Sequence, residues 1–295
     1  MVLPPAMAAL LQRTWTEAEA FAYCSALTRS HYENFPVGSS LIPKALQPAV
    51  HSLYAFMRTA DDFSDEDRKP GDERERMAFL GTWEAMLADC ENGRAEHPIF
   101  IALRATLARH GLPVQWLRDL LHAFQMDVTV RRYATEEELL DYCRYSANPV
   151  GRLILTLFGY RDEELYRLSD AICTGLQLAN HWQDVSVDLD KDRIYLPQDH
   201  WRRFDLGAED LFRRTATTAF KQLLAFEVAR AREFLAQGRR LPEKVEGRLR
   251  WELKFTWQGG MCILDKIEKA DYDVFKRRPV VTKADWFGIA FRSLF

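Results

Sequence analysis

Apolar residues recur at three- and four-residue spacing along nearly the whole chain of 295 residues, the period of helices packed on one side. Val50, Leu53, Tyr54 and Met57 form one such stripe, and Leu117, Leu120, Leu121 and Phe124 another. The punctuation agrees. Thr14-x-x-Glu17 and Thr16-x-x-Glu19 both have capping-box spacing ahead of a helix predicted to run to about Ser30. Phe35-Pro-Val-Gly38 breaks the pattern, and Pro48 suits the first turn of the next helix, which Pro70-Gly71 ends. A charged helix runs from about Glu73 to near Gly93. Pro98 and Gly111 bracket another, with proline inside the start and glycine past the end, and Pro113 opens the next. Thr135-x-x-Glu138 heads a helix containing Pro149, whose missing N–H predicts a kink. Long helices are predicted over about 162–188, 211–237 and 243–270, with 190–204 as loop. With no repeats, low-complexity tracts or linker, the pattern reads as one all-α domain over 1–295.

Composition narrows the class. Gly 14 and Pro 12 leave few turns for a many-stranded fold. Forty Lys+Arg nearly cancel forty-three Asp+Glu, so the basic footprint of a nucleic-acid partner is lacking. Cys24, Cys90, Cys143, Cys173 and Cys262 are far apart and form no C-x-x-C pair. They read as buried, reduced thiols of a cytoplasmic protein, not a zinc site or disulfide framework. Met1-Val-Leu-Pro-Pro lacks the positive region of a secretory leader, and no window offers 18 uninterrupted apolar residues to span a bilayer. The stretch Trp286–Phe295 is short and apolar-rich. It suits either peripheral contact with the inner face of a membrane or a packing tail, and its small basic face favours packing.

Two acidic segments change the picture. In Tyr54-Ala-Phe-Met-Arg-Thr-Ala-Asp-Asp-Phe-Ser-Asp-Glu66, Asp61 and Asp65 share a helix face about 6 Å apart, and Asp62 and Glu66 repeat the relation. Like charges so placed destabilise a bare helix, and an acidic run at a helix C-terminus opposes the dipole. Hard carboxylate oxygens suit Mg²⁺; the plainer reading is a solvated helix end. In the second segment Gln177, Asn180, Asp184 and Asp188 form one polar stripe on an otherwise apolar helix. Burying it is expensive unless it is paired or coordinated. Two such helices can face each other across a cavity and hold Mg²⁺ against a substrate diphosphate. The chain's 8 Trp, 10 Tyr and 18 Phe can line the rest, and aromatic faces stabilise cations.

In this order the motifs resemble those of the squalene and phytoene synthases, head-to-head prenyl synthases of the all-α isoprenoid synthase fold. The resemblance runs from His31 to about Pro279. It rests on Tyr54-Ala-Phe-Met-Arg58 leading into Asp61-Asp-Phe-Ser-Asp65; Asp127 with Arg132-Tyr133; Tyr142-Cys143 followed by Val150-Gly151; Gln177-x-x-Asn180-x-x-x-Asp184-x-x-x-Asp188; and Arg193-Ile-Tyr-Leu-Pro197. Within the family, His31-Tyr-Glu-Asn-Phe-Pro-Val-Gly-Ser39, Ser146-Ala-Asn-Pro-Val-Gly-Arg152 and Asn180-x-Trp-Gln-Asp184 are most similar to the bacterial hydroxysqualene synthases of hopanoid pathways. The resemblance implies a central cavity between helices, Mg²⁺ as cofactor and an isoprenoid diphosphate as substrate. The implied reaction turns presqualene diphosphate and water into hydroxysqualene and diphosphate, alongside other enzymes of squalene formation.

It also implies roles. Asp61, Asp65, Asp184 and Asp188 hold metal, with Asp62 and Glu66 in support. Arg58 meets diphosphate or pairs with Asp62, and His31 donates to phosphate or serves only structure. Arg193 and Tyr195 close over the diphosphate, though Tyr195 is equally a packing residue. Gln177 and Asn180 orient diphosphate or water. Tyr142 stabilises a cation, moves a proton or simply fills the core. Lys44 and Arg132 stand lower.

Glu33 and Gln183 replace basic residues of many condensing members, which fits a single-diphosphate substrate needing fewer cations. Asn148-Pro149 replaces the usual Ala-Gly pair; its amide either positions a water or merely accompanies a kink. Two alternatives stand beside this reading: a condensing synthase making presqualene diphosphate, squalene or phytoene, and a scaffold subunit of a terpenoid complex. No G-x-G-x-x-G marks a nicotinamide site.

Overall fold

Residues 2–30, 41–64 and 73–293 are described by a computed structural model. Every regular element among them is helical, save an isolated bridge between Arg132 and Ile194. The predicted breaks at Phe35–Gly38 and Pro70-Gly71, and the site residues His31, Asp65 and Glu66, lie outside the described residues. No described helix is long and apolar enough to cross a membrane.

The chain divides into two compact units. The first holds α1 (Pro5–Ala9), α2 (Glu17–Ser30), α3 (Gln47–Ser64), α4 (Glu73–Glu91), α5 (Pro98–His110) and α6 (Gln115–Thr129), together with residues 153–160. Of the two capping boxes read ahead of α2, Thr16 forms the reciprocal one: its N–H donates to Glu19 Oε2 at 2.9 Å, and its hydroxyl accepts from Glu19 N at 3.3 Å. Pro98 and Gly111 bracket α5 as expected, Gly111 adopting φ 57°. The central helix is α3, which packs on α2, α4, α5 and α6. Its Phe56 is fully buried and meets Trp83 at 6.0 Å and Phe100 at 5.8 Å between ring centroids.

The second unit covers residues 130–152 and 161–295. It contains α7 (Glu136–Ser146), the first half of α8 (Asn148–Leu157), α9 (Glu163–Asp190), α10 (Gln198–Arg203), α11 (Ala208–Phe212), α12 (Thr218–Gly238), α13 (Leu241–Lys244), α14 (Gly247–Lys269) and α15 (Lys283–Ser293). Here α9 is central, packed on α7, α12, α13 and α14.

Four predicted boundaries are corrected. The helix expected to kink at Pro149 is two helices: α7 ends at Ala147, whose N–H still bonds Cys143 O at 3.0 Å, and Pro149 sits in the first turn of α8, where a missing N–H costs nothing. The expected 211–237 helix begins only at Thr218, capped by Thr217 after Arg214 turns left-handed at φ 51°. The 243–270 helix is split at Val245, and the 190–204 loop contains α10.

Glycines set the approach of α9 to its neighbours. A Cβ at Gly238 would lie 2.7 Å from the Leu168 carbonyl oxygen and 2.4 Å from Ile172 Cγ1, and one at Gly175 would lie 3.0 Å from Leu235 N. Backbone cannot yield as a side-chain tip can. Gly238→Ala is therefore expected to destabilise by about 1–3 kcal/mol. Gly81→Ala, a helical site with nothing within 4 Å, is expected to gain about 1 kcal/mol from helix propensity. Urea unfolding of the two variants checks the contrast.

Candidate active site

In the first unit α3 presents Arg58, Asp61 and Asp62 in its last turns. The Arg58 guanidinium is 11 % exposed and forks onto both acids, reaching Asp61 Oδ2 at 3.0 Å and Asp62 Oδ1 at 2.6 Å. The fork offsets the like-charge repulsion that their spacing creates. Both acids keep water-facing surface, Asp61 the more at 46 %. The pairing of Arg58 with Asp62 foreseen as its plainer role is thus present and extends to Asp61.

In the second unit the polar stripe is continuous on α9. Gln177, Asp184 and Asp188 are half-buried and Asn180 is exposed. Asp184 is gripped by Arg278, whose Nε and Nη2 donate to its two oxygens, the second at 3.1 Å; the carboxylate holds the Arg278 pKa above its usual value. Arg278 lies 94 residues away in sequence and carries no local signal that would have marked it as a partner.

After α9 the chain folds back on itself. Arg193 N and Lys191 N donate to Asp188 O at 2.9 and 3.0 Å, and Ile194 N donates to Arg131 O at 3.0 Å. These bonds fix Arg193 and Tyr195 beside Asp188, around a void of about 10 Å³ that His181 also lines. Arg132 clamps the turn by bonding the carboxylate and carbonyl of Asp192, which explains the residue structurally.

Tyr142, Tyr133, Tyr195 and His181 form one aromatic cluster. Tyr195 stacks on the His181 ring at 3.7 Å and lies 5.7 Å from both Tyr133 and Tyr142. His181 was not singled out from sequence because it reads as one more core position of α9. It is 4 % exposed, its Nε2 has no hydrogen-bond partner, and burial pushes its pKa down to about 3. The ring is therefore neutral and offers electron-rich faces and a nitrogen lone pair or N–H.

Asn148 is the first residue of α8. Its Oδ1 accepts from the Thr174 hydroxyl at 3.0 Å. Thr174 precedes Gln177 by three residues on α9, so Asn148 joins the upper end of the polar stripe. Close contact makes the placement firm: a Cβ on Gly151 would lie 2.2 Å from Ser169 Oγ, and Arg152 forks onto Asp170 at 2.6 and 3.0 Å. Gln183, one residue before Asp184, is buried. The cysteines are free thiols, and burial raises those of Cys24 and Cys173 to about 12, which leaves them unreactive.

Among the described residues no three acids, imidazoles or thiols converge on a point. The donor types nonetheless suit Mg²⁺: α3 offers the carboxylate oxygens of Asp61 and Asp62 and α9 those of Asp184 and Asp188, the hard ligands this ion takes. Asp65, the partner of Asp61 in the sequence reading, lies outside the described residues.

A profile of squalene/phytoene synthases matches residues 28–285. The chain belongs to the squalene/phytoene synthase family. It is 38 % identical over 216 residues to hydroxysqualene synthase of Rhodopseudomonas palustris, covering 72 % of each chain. It is 30 % identical over 276 residues to 15-cis-phytoene synthase of Synechococcus elongatus, covering 90 % of this chain and 89 % of that one. The crystal structure of a squalene synthase from Alicyclobacillus acidocaldarius superposes with a TM-score of 0.82 at 44 % identity, over 87 % of this chain and 95 % of the other. This family membership makes the chain an enzyme of isoprenoid biosynthesis with the all-α fold read from its sequence.

Buried neutral histidines give this synthase an acid limit. His97 caps α5, its Nδ1 accepting from Ile99 N at 3.3 Å, and burial holds its pKa near 4. Both His97 and His181 protonate in the unfolded chain near 6.5. Their contribution is intact above that pH and is lost as pH falls toward about 4 and about 3. Each is expected to cost about 2 kcal/mol at pH 5. Urea unfolding at pH 7.5 and 5 checks this: His97→Asn, which keeps a capping acceptor, should lose less stability on acidification than the parent. An equal loss would show that His97 does not carry it.

Proposed function

We propose that the chain ionises presqualene diphosphate and captures the rearranged cation with water. The C–O bond to diphosphate breaks with its electron pair leaving on the diphosphate. The cyclopropylcarbinyl cation rearranges, water adds, and a proton is lost, giving hydroxysqualene and diphosphate. Asn148 carries the reading. It places an uncharged amide at the head of the polar stripe, bonded to Thr174, where many family members have a small apolar residue. A held water needs two to four polar partners, and Asn148, Gln177 and Asn180 supply uncharged ones.

Asp61, Asp62 and Asp65 on one segment and Asp184 and Asp188 on the other would hold Mg²⁺, which when bound supplies Lewis-acid neutralisation of the diphosphate. Arg58, Arg193 and Arg278 bring positive charge to the acidic segments for the same anion, His31 adds a donor, and Gln177 and Asn180 orient the diphosphate. The ring faces of Tyr142, Tyr195 and His181 stabilise positive charge on carbon, and their packing excludes bulk water. Gln183 supports a single-diphosphate substrate by contributing no charge. The family match, running through both units, supports treating 1–295 as one functional domain.

A condensing reaction is the second reading, favoured by the phytoene synthase relative covering 90 % of the chain. Purified protein with Mg²⁺ should consume presqualene diphosphate without a nicotinamide and condense farnesyl diphosphate far more slowly. Efficient condensation of farnesyl diphosphate would move the assignment to the second reading.

A further inference from the structure

The two most exposed large apolar side chains among the described residues, Phe287 at 80 % and Phe291 at 64 %, lie on α15, with Trp286 at 46 % beside them. At roughly 100° per residue, Trp286, Phe287, Ala290 and Phe291 share one outward arc. Ile289 and Ser293, on the inward side, are buried. The aromatics are displayed by a fixed helix. Lys266 pairs with Asp285 at 2.7 Å, and Lys254 Nζ donates to Ser293 O at 2.7 Å, both from α14. The packing-tail reading thus holds for one side of the helix only.

The basic face that the helix itself lacks comes from the segment before it. In residues 276–292, Lys276, Arg278 and Arg292 pair with Asp273, Asp184 and Asp265, and Lys266 neutralises Asp285, which leaves Arg277 and Lys283 as the cations of this segment with no acid partner among the described residues. Arg277 and Val280 line a cleft of about 380 Å³ at the foot of the helix.

We propose that this surface seats the protein on an anionic lipid bilayer. Trp286, Phe287 and Phe291 enter the boundary between headgroups and acyl chains, and Arg277 and Lys283 meet lipid phosphates. Charge argues against a second copy as occupant, because a symmetric contact sets the same patch against itself and would oppose Arg277 and Lys283 of one copy to those of the other. Arg278 of the same segment grips Asp184, so docking brings the acidic stripe of α9 close to the lipid surface. The inference rests on surface chemistry and holds for either prenyl reaction.

The test is co-sedimentation of the full chain with vesicles of phosphatidylglycerol and phosphatidylcholine, and with phosphatidylcholine alone. Binding to the anionic vesicles is expected to be about tenfold stronger and to weaken with salt. Phe287→Ser with Phe291→Ser, and separately Arg277→Gln with Lys283→Gln, should each lower it about tenfold. Both variants should keep helical circular dichroism and activity on detergent-dispersed substrate. Vesicle binding equal in parent and variants would overturn the proposal. So would a concentration-dependent dimer abolished by the two serine substitutions, with no vesicle binding by the parent.

Discussion

Asp184→Asn is expected to lower turnover on the order of 10³-fold, the rate equivalent of about 4 kcal/mol of transition-state stabilisation. The substitution removes one charge from the stripe of α9 and leaves an amide in the same volume. Arg278, which now forks onto the carboxylate, would keep a hydrogen bond but lose its counter-charge. Helical circular dichroism should therefore stay at the parent level while diphosphate release falls. Asp61→Asn, on the helix that holds Arg58 between two acids, should behave alike. Activity retained in both variants at ordinary Mg²⁺ would remove metal-assisted ionisation from the account.

The second large effect concerns what happens to the cation. Asn148→Ala removes the amide that accepts from Thr174 but leaves Asp61, Asp184 and Asp188 in place. Ionisation should survive and its quench should not. Diphosphate release is expected to stay within about threefold of the parent, while the hydroxysqualene share of the products drops in favour of proton loss or cyclisation. Both quantities are measured in the same tube. If they fall together, Asn148 serves folding or binding; if neither moves, the water is held elsewhere.

The parts of this molecule that were legible in sequence are those fixed by neighbours along the chain. Thr16, Thr135 and the Pro98–Gly111 bracket act through bonds spanning a few residues, and each sits where it was read. The break at Arg214 was not legible: it carries neither proline nor glycine, and a left-handed arginine is held by its surroundings instead of its own preference. The break at Val245 had a local signal, Pro242 before it and Gly247 after it, the glycine adopting φ 63°. Pro149 misled for a different reason: a proline bends a helix in its interior and begins one in its first turn, and only the exit at Ala147 decides between them.

The site divides the same way. The stripe Gln177–Asp188 follows from helical period alone, as does the reach of Arg58 to Asp61 and Asp62 at three and four residues. Arg278 joins Asp184 across 94 residues, and His181 owes its neutral, unpartnered state to burial against Tyr195; neither depends on local sequence. On α15 the apolar positions were visible, but their outward orientation depends on which side α14 covers.

If water held by uncharged amides ends the reaction, a solvent oxygen stays in the product. The most direct test is incubation of the purified protein with Mg²⁺ and presqualene diphosphate in ¹⁸O-labelled water, without any nicotinamide, followed by mass analysis of the C30 product. The expected result is hydroxysqualene carrying one ¹⁸O from the solvent, in step with diphosphate release. A hydrocarbon product, or an alcohol without the label, would contradict it.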